Sequence, residues 1–558
     1  MTRAACIQLI AADPECTTGM NTDIADLMRR HDSDSEKNLF SDPERYGVEE
    51  LEILDRVHAS ACRGRWMPKG QVDYDILRNW LWTCSAYHHP GCTPPESLDL
   101  ELNMFPTRVI DVRRGCVVST PPNAAYVCLS YVWGRDPQLQ LTAETLNTLT
   151  TEGALFDKNT GVAQTLKDAV YVCDMLGKHY LWVDSICIKQ DDQSTRQTEI
   201  ENIDVIYGRA ELTIVAASGS HADAGLHGIR KESRKVTQHM ELVQGRQLMA
   251  SMPSPGYEVR FSPWESRAWT LQERALSHRC LIFAESQVYF QCKTTYFYED
   301  VVCEIPGEVT IRNFPIIKSA WASTIQHDFD QIGGFPAYED IVRIFTQRNL
   351  TFGSDALNAC AGLFKVDQKR RARLGQVTAF FFGLPVETFP HALCWMATWE
   401  PPGHRRSDFP SWSWAGWDTT ASYDLIRFKV ICDDDHYKEN DTEATKAAAL
   451  FEPRLAKDMQ IGSSILKFWT TSANLRVDRS SSRDQHLPHS FAIWSPHDPG
   501  LCLGYIGLSE SARACRPDEM EFIAIGVEFY ENGWKHNDTD DQFKWERPEK
   551  YSYGVKLM

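Results

Sequence analysis

The sequence lacks an excess of positive charge. Its net charge is −18 at pH 7, whereas tight binding to phosphate backbones needs clustered Lys and Arg side chains. The one basic run, residues 365–373, is short and is typical of a solvated helix face. We therefore predict that the protein has no nucleic-acid partner.

Long apolar runs are also lacking. No segment approaches the roughly 20 apolar residues that span a bilayer, and residues 1–16 do not have the pattern of a signal peptide. The seventeen cysteines are odd in number, and Cys128, Cys187 and Cys394 lie in apolar runs typical of buried, reduced thiols. We expect an intracellular, cytoplasmic protein without a membrane span.

Several catalytic and metal-binding motifs are missing. There is no Gly-rich dinucleotide fingerprint, nucleophile elbow or cysteine-protease signature, so ordinary Rossmann redox chemistry is not expected. Cys84, His88 and Cys92 have i, i+4, i+8 spacing, with Cys62 nearby in the sequence. Tetrahedral zinc needs four ligands and the fourth is not evident. We therefore predict reduced side chains that pack a helix end, and we assign no metal site.

The composition divides the chain into five regions. Residues 1–50 are polar and predict a disordered arm, whereas residues 51–104 form a helical segment. Apolar strand and helix patterns alternate over residues 105–292, which predicts an α/β fold with a doubly wound sheet. We expect a mostly helical linker over residues 293–400 and a mixed, β-rich C-terminal domain over residues 401–558.

Periodicity predicts individual elements in the central region. Short apolar runs predict strands within residues 105–112, 126–131, 181–184, 212–217, 280–283 and 287–292. A helix is indicated by apolar residues at helical spacing, namely Leu166, Ala169, Val170, Cys173 and Leu176. Ser194 with Gln197 and Ser262 with Glu265 have the pattern of a helix N-cap, so two further helices are expected to begin there.

Polar residues follow two of the predicted strands. Ser130, Tyr131, Trp133 and Gly134 lie at the end of one strand, and Asp184 lies at the end of the next. Because ligands bind outside the carboxyl ends of strands in open α/β sheets, both sets point toward one rim. Simpler interpretations are a packing Trp, a turn Gly and an Asp that caps the following loop.

A third polar block lies on a predicted helix. Trp269 and Glu273 are four residues apart and share one helix face. A carboxylate beside an indole lies in a partly apolar wall, where its pKa rises. The alternative is a surface glutamate paired with Arg274 or Arg267.

These three blocks carry a family resemblance. They are YVCLSYVWG (126–134), LWVDSICIKQDD (181–192) and RAWTLQERALSHRC (267–280), and they resemble motifs of the fungal heterokaryon-incompatibility (HET) domain. The resemblance covers residues 105–292 and implies a role in self/non-self recognition and regulated cell death. His227 departs from the family pattern, which has Pro in a GLPG-like turn.

The order of these elements is also similar to that of a TIR domain, which implies a TIR/flavodoxin-like sheet. Enzymatic TIR domains cleave the nicotinamide–ribose bond of NAD with a Glu on the W-x-x-x-E helix. The resemblance therefore implies NAD as substrate without a bound cofactor, and Glu273 as the catalytic carboxylate. It also implies a group of substrate-binding residues, namely Ser130, Tyr131, Trp133, Gly134, Asp184 and Trp269.

Two other functions stay open at this point. Many TIR-like domains are adaptors, which implies a non-catalytic signalling module that assembles with itself or with a protein partner. Asp184 and Glu273 also suit a different glycosyl or nucleotide hydrolase with paired carboxylates.

Overall fold

The computed structural model describes residues 63–94, 106–302 and 335–423, apart from a few positions within them, together with separate strands at Leu9–Ala11 and between residues 454 and 557. The chain divides into two compact units. One comprises Met1–Gln331 and Ala361–Leu363, and the other comprises Ile332–Cys360 and Phe364–Met558. Cys62, Cys394 and most of the predicted disordered arm lie outside the described residues.

An eight-stranded mixed sheet forms the centre of the first unit. Its strands are β1 (Arg108–Asp111), β2 (Cys116–Ser119), β3 (Val127–Ser130), β4 (Tyr180–Trp182), β5 (Leu212–Ala216), β6 (Arg279–Phe283), β7 (Val288–Cys292) and β8 (Tyr296–Tyr298). The spatial order is β8-β7-β6-β5-β3-β4-β1-β2. The four central strands, β6, β5, β3 and β4, are parallel, and antiparallel strands complete both edges.

Helices connect the parallel strands. In the part of this unit that the structure describes, the α-helices are α1 (Tyr74–Tyr87), α2 (Leu146–Leu149), α3 (Gln164–Met175), α4 (Asp184–Cys187), α5 (Gln193–Glu201), α6 (Ile203–Arg209), α7 (Pro255–Glu258) and α8 (Thr270–Leu276). The chain passes from β3 through α3 to β4, and then crosses to β5 on the other side of β3. The order of strands thus reverses beside β3, and this is where open α/β sheets bind ligands.

Burial explains why the central strands form. Every residue of β3, β5, β6 and β7 is buried, as expected for continuous apolar runs covered on both faces. The predicted hairpin of β6 and β7 is present, with Leu281 opposite Phe290. The predicted apolar residues of α3 are all buried as well. The α/β class predicted for this region is therefore confirmed.

The expected N-cap at Ser194 is wrong. Helix α5 begins at Gln193, and its N-cap is Asp192, whose carboxylate accepts from the backbone N–H of Thr195 at 3.1 Å. The hydroxyl of Thr195 also donates to that carboxylate, at 2.9 Å. A charged acceptor binds the free N–H groups of a helix N-terminus strongly, so the earlier residue becomes the cap.

The helix start expected at Ser262 is also wrong. Ser262 accepts from the backbone N–H of Glu265 at 3.1 Å, but this bond closes only a turn, and α8 begins at Thr270. The hydroxyl of Thr270 donates to the carbonyl oxygens of Trp264 and Arg267. Because the Trp264 indole is fully buried, tertiary packing overrides the local capping signal.

The first unit also contains small sheets. Leu9–Ala11 pairs with Arg246–Ala250, which also pairs with Met240–Val243. Arg63–Gly64 pairs with Val301–Val302. None of the helices in the described part of the chain has the length and apolar character to cross a membrane.

The second unit combines helices with an antiparallel sheet. Its helices in the described residues are α9 (Phe335–Thr346), α10 (Asn358–Arg373), of which residues 361–363 belong to the first unit, and α11 (Phe389–Ala392). Five strands form the sheet, in spatial order Cys502–Gly507, Ser490–Trp494, Ser472–Asp478, Glu519–Tyr530 and Ser552–Leu557. Two-stranded ladders pair Phe380–Phe381 with Leu384–Pro385, Met396–Ala397 with Ala421–Ser422, Arg454–Leu455 with Phe468–Trp469, and Lys535–His536 with Trp545–Glu546.

Candidate functional site

Strand β3 and helix α8 meet through Ser130 and Glu273. The Ser130 hydroxyl donates a short hydrogen bond to Glu273 Oε2, and it accepts from Trp264 Nε1 at 2.7 Å. Ser130 and Trp264 are buried, whereas Glu273 is half-buried. The hydroxyl therefore fixes a partly accessible carboxylate at the carboxyl end of the central strand.

Glu273 is held by its backbone as well. Its carbonyl oxygen accepts from the hydroxyl of Ser277 at 2.6 Å, and its amide donates to the carbonyl oxygen of Trp269 at 3.4 Å. Tyr207 of α6 is buried nearby, and its pKa rises because of burial and because of the Glu273 charge. Glu273 therefore lies against a buried wall and is not a simple surface glutamate.

Asp184 lies directly after β4, at the start of α4. The indole N–H of Trp133 donates to both of its carboxylate oxygens, at 3.0 and 3.2 Å. The backbone N–H of Ser185 donates to Oδ1 at 2.7 Å. Trp133 and Asp184, which were predicted independently, are thus joined across the ends of β3 and β4.

The pKa of Asp184 is raised to about 7. Burial is the main cause, and the charge of Glu273 is the second, while Arg267 and the hydrogen bonds from Ser185 and Trp133 act in the opposite direction. Two carboxylates close enough to influence each other do not ionise independently. Near neutral pH this rim therefore holds one acidic side chain that is partly protonated.

Tyr131 points into the protein. Its hydroxyl is 2.9 Å from Ser185 Oγ and 2.9 Å from Gln138 Oε1, and only 4 % of the residue is exposed. Its carbonyl oxygen accepts from an Arg267 N–H at 2.5 Å. Tyr131 is therefore one of the buried groups that support the rim at the ends of β3 and β4.

Gly134 is needed for a close approach of two loops. Its φ is +82°, and a Cβ at this position would be 2.6 Å from the Cβ of His221. The amide of Ala222 donates to the carbonyl oxygen of Trp133 at 3.1 Å. The turn that was considered as an alternative for Gly134 is thus present, and it packs the loop after β3 against the loop after β5.

The seven predicted site residues fall into distinct groups. Ser130 with Glu273 and Trp133 with Asp184 form two hydrogen-bonded pairs linked by the charge of Glu273. Trp269 is half-buried and lies one turn before Glu273. The remaining two, Tyr131 and Gly134, shape the loops around these pairs.

Sequence reasoning missed three residues that hold the site together. The Trp264 indole donates to the Ser130 hydroxyl, and Arg267 donates to the Tyr131 carbonyl oxygen. Gln190 Nε2 donates to the carbonyl oxygen of Asp184 at 2.8 Å. Gln190 and Arg267 lie inside the quoted motif blocks, so their position was a usable signal. Trp264 lies between Ser262 and Glu265, and no pattern in the sequence links it to Ser130.

Comparison with known families identifies this segment. Residues 126–273 match the family model described as Heterokaryon incompatibility protein (HET). The match begins immediately before β3 and ends at Glu273, so it contains both hydrogen-bonded pairs. No curated protein matches the chain, and no solved structure matches it.

Proposed function

Since residues 126–273 form a HET domain, we propose that the chain is an effector of non-self recognition and regulated cell death that cleaves the nicotinamide–ribose bond of NAD. The HET domain supports a role in heterokaryon incompatibility. The hydrogen bond between Ser130 and Glu273 carries the enzymatic part of the proposal, because it holds a carboxylate at the end of the central parallel strand. A TIR-like arrangement of the sheet belongs to the same proposal.

The chemistry suits a single carboxylate. Breaking the bond between ribose C1′ and the nicotinamide nitrogen gives the ribose oxocarbenium character, which a nearby negative charge stabilises. The electron pair of that bond leaves with nicotinamide, which departs as a neutral molecule. Water then adds to C1′ and loses a proton, so the products are nicotinamide, ADP-ribose and H⁺.

The surrounding residues have separate roles in this proposal. Ser130 is a positioning residue, because its hydroxyl is already bonded to Glu273. Asp184 contributes an acidic group with a pKa near neutrality at the same rim. Trp133 and Trp269 offer aromatic faces for the nicotinamide or adenine ring.

Substrate range separates this proposal from a general nucleoside hydrolase. We expect the purified chain to release nicotinamide from NAD and to leave adenosine and inosine intact. Chromatography of the products measures both reactions. Hydrolysis of the nucleosides at a rate similar to that of NAD would favour a broader hydrolase built on Asp184 and Glu273.

A second function is favoured by a different observation. Tyr257 and Phe261 are 60 % and 72 % exposed, and their rings contact each other edge to face with centroids 5.5 Å apart. Exposed aromatic side chains of this kind are enriched in protein interfaces. A non-catalytic assembly module would bind a partner or a second copy through such a surface.

Cell toxicity distinguishes the two functions. For the enzyme, Glu273→Gln abolishes both NAD depletion and toxicity in an expressing fungal host. For the assembly module, toxicity survives Glu273→Gln and is lost in the double variant Tyr257→Ala/Phe261→Ala. Immunoblots at matched expression levels control for loss of the protein.

A further inference from the structure

Four potential metal ligands converge beside the edge of the central sheet. Cys84 lies in the last turn of α1, His88 and Cys92 follow it, and Cys292 ends β7. One ligand atom from each residue lies within 4.8 Å of the other three. The three cysteines are buried with free thiols, and Cys292 Sγ is 3.4 Å from His88 Nδ1.

The structure supplies the ligand that the sequence did not reveal. The spacing of Cys84, His88 and Cys92 suggested three ligands at most, and Cys62 lies outside the described residues. Cys292 completes the set, although it lies 204 positions after His88. Only the fold of β7 against α1 brings these side chains together.

The backbone explains how three ligands from one segment share a point. The amide of His88 donates to the carbonyl oxygen of Cys84 at 3.0 Å, and the amide of Cys92 donates to that of His88 at 3.1 Å. Each of these two successive turns spans four residues. The side chains of Cys84, His88 and Cys92 therefore lie close to one another. Stacking of the His88 ring on Phe297, with centroids 6.4 Å apart, also orients the imidazole.

Hydrogen-bond donors point at two of the sulfurs, those of Cys84 and Cys292. The amides of Thr294 and Thr295 lie 3.4 and 3.2 Å from Cys292 Sγ and donate to it. Arg279 Nε donates to Cys84 Sγ at 3.2 Å, and this guanidinium belongs to a residue that is only 8 % exposed. Donors aimed at sulfur stabilise a thiolate, which is the form that binds metal.

We propose that Cys84, His88, Cys92 and Cys292 bind one zinc ion in a closed tetrahedral site. Zinc–sulfur bonds of about 2.3 Å place two sulfur ligands about 3.8 Å apart, which fits the observed cluster. Three thiolates, a neutral imidazole and Zn²⁺ carry a net charge of −1, and the buried Arg279 balances it. Since the protein fills all four positions, the ion is structural and ties α1 to β7.

Metal content tests this directly. We expect full-length protein without a polyhistidine tag, expressed with added zinc, to contain about one zinc ion per chain by elemental analysis. Cys292→Ala should lose the ion. The matched control is Cys280→Ala, a buried cysteine on the neighbouring strand β6 whose register partner is Gln291, and it should keep the ion.

Cobalt substitution keeps the test valid if Cys292→Ala fails to fold. Wild-type protein reconstituted with Co²⁺ should show thiolate charge-transfer absorption and the strong visible bands of tetrahedral cobalt. His88→Cys should retain the metal, because it converts the site to four thiolates. A wild-type protein with no stoichiometric zinc and no thiolate–cobalt absorption, or a disulfide among the three cysteines, would overturn the proposal.

Discussion

Ser130 is the residue on which the site depends, because it links a strand, a helix and the turn that contains Trp264. It donates to Glu273 on α8 and accepts from the buried Trp264 indole, while its backbone belongs to β3. The resemblance to TIR domains implied that Ser130 and Glu273 belong to one site. Their hydrogen bond could not be predicted, because 143 positions separate them.

Replacing this hydroxyl should impair catalysis more than substrate binding. In Ser130→Ala, Glu273 loses a fixed orientation, so we expect kcat for NAD cleavage to fall about tenfold with little change in KM. The matched control is Ser286→Ala, which removes a buried hydroxyl that donates to Glu258 Oε2 at 2.7 Å in the turn between β6 and β7 and should leave kcat unchanged. An increase in KM at constant kcat would instead show that Ser130 binds substrate.

Asp184 should make the folded state less stable as pH rises. Its pKa is raised from 3.8 to about 7, so the folded protein keeps this proton to a higher pH than the unfolded chain. Between these two values the unfolded state binds fewer protons, and stability therefore falls with increasing pH.

Comparison with Asp184→Asn isolates this contribution. The variant keeps an oxygen for Trp133 and Ser185 but does not titrate, so its unfolding temperature should fall less than that of the wild type between about pH 4 and pH 7. Other groups with a raised pKa, such as Asp300 with a pKa of about 6, change the unfolding temperature of both proteins alike. Parallel pH profiles for the two proteins would refute a raised pKa at Asp184.

At the scale of elements, the loop after β3 depends on Gly134. An alanine there is strained by the positive φ and also meets His221. Gly153 has the same φ of +82°, and a Cβ added to it would have nothing within 4 Å, so Gly153→Ala measures the strain alone. We expect Gly153→Ala to lower the free energy of unfolding by about 1–2 kcal/mol and Gly134→Ala to lower it further in urea titrations. Equal losses would show that the approach to His221 adds nothing to the strain.

The sequence predicted strands better than helix starts. The runs that became β3, β5 and β6 are mostly apolar and fully buried, and such runs indicate a strand that is covered on both faces. The starts expected at Ser194 and Ser262 were wrong because capping patterns are local. A carboxylate at Asp192 and the burial of Trp264 decided them instead.

At the scale of the whole molecule, the segment that matches the HET family model does not contain the entire sheet that supports the candidate site. The matched residues 126–273 include β3, β4 and β5 and end on α8. Strands β1 and β2 precede the match, and β6, β7 and β8 follow it. The four-ligand cluster, too, uses residues on both sides of the match, so segments outside the match contribute to the same compact unit.

The cleavage of NAD by Glu273 is the central claim, and the rate of nicotinamide release tests it most directly. Wild-type protein and Glu285→Gln, which alters an exposed glutamate in the turn between β6 and β7, should release nicotinamide at similar rates. Glu273→Gln should lower the rate at least a hundredfold, since it removes the charge that stabilises the transition state, an effect worth roughly 10²–10³ in kcat. A folded Glu273→Gln variant that releases nicotinamide as fast as the wild type would contradict the account.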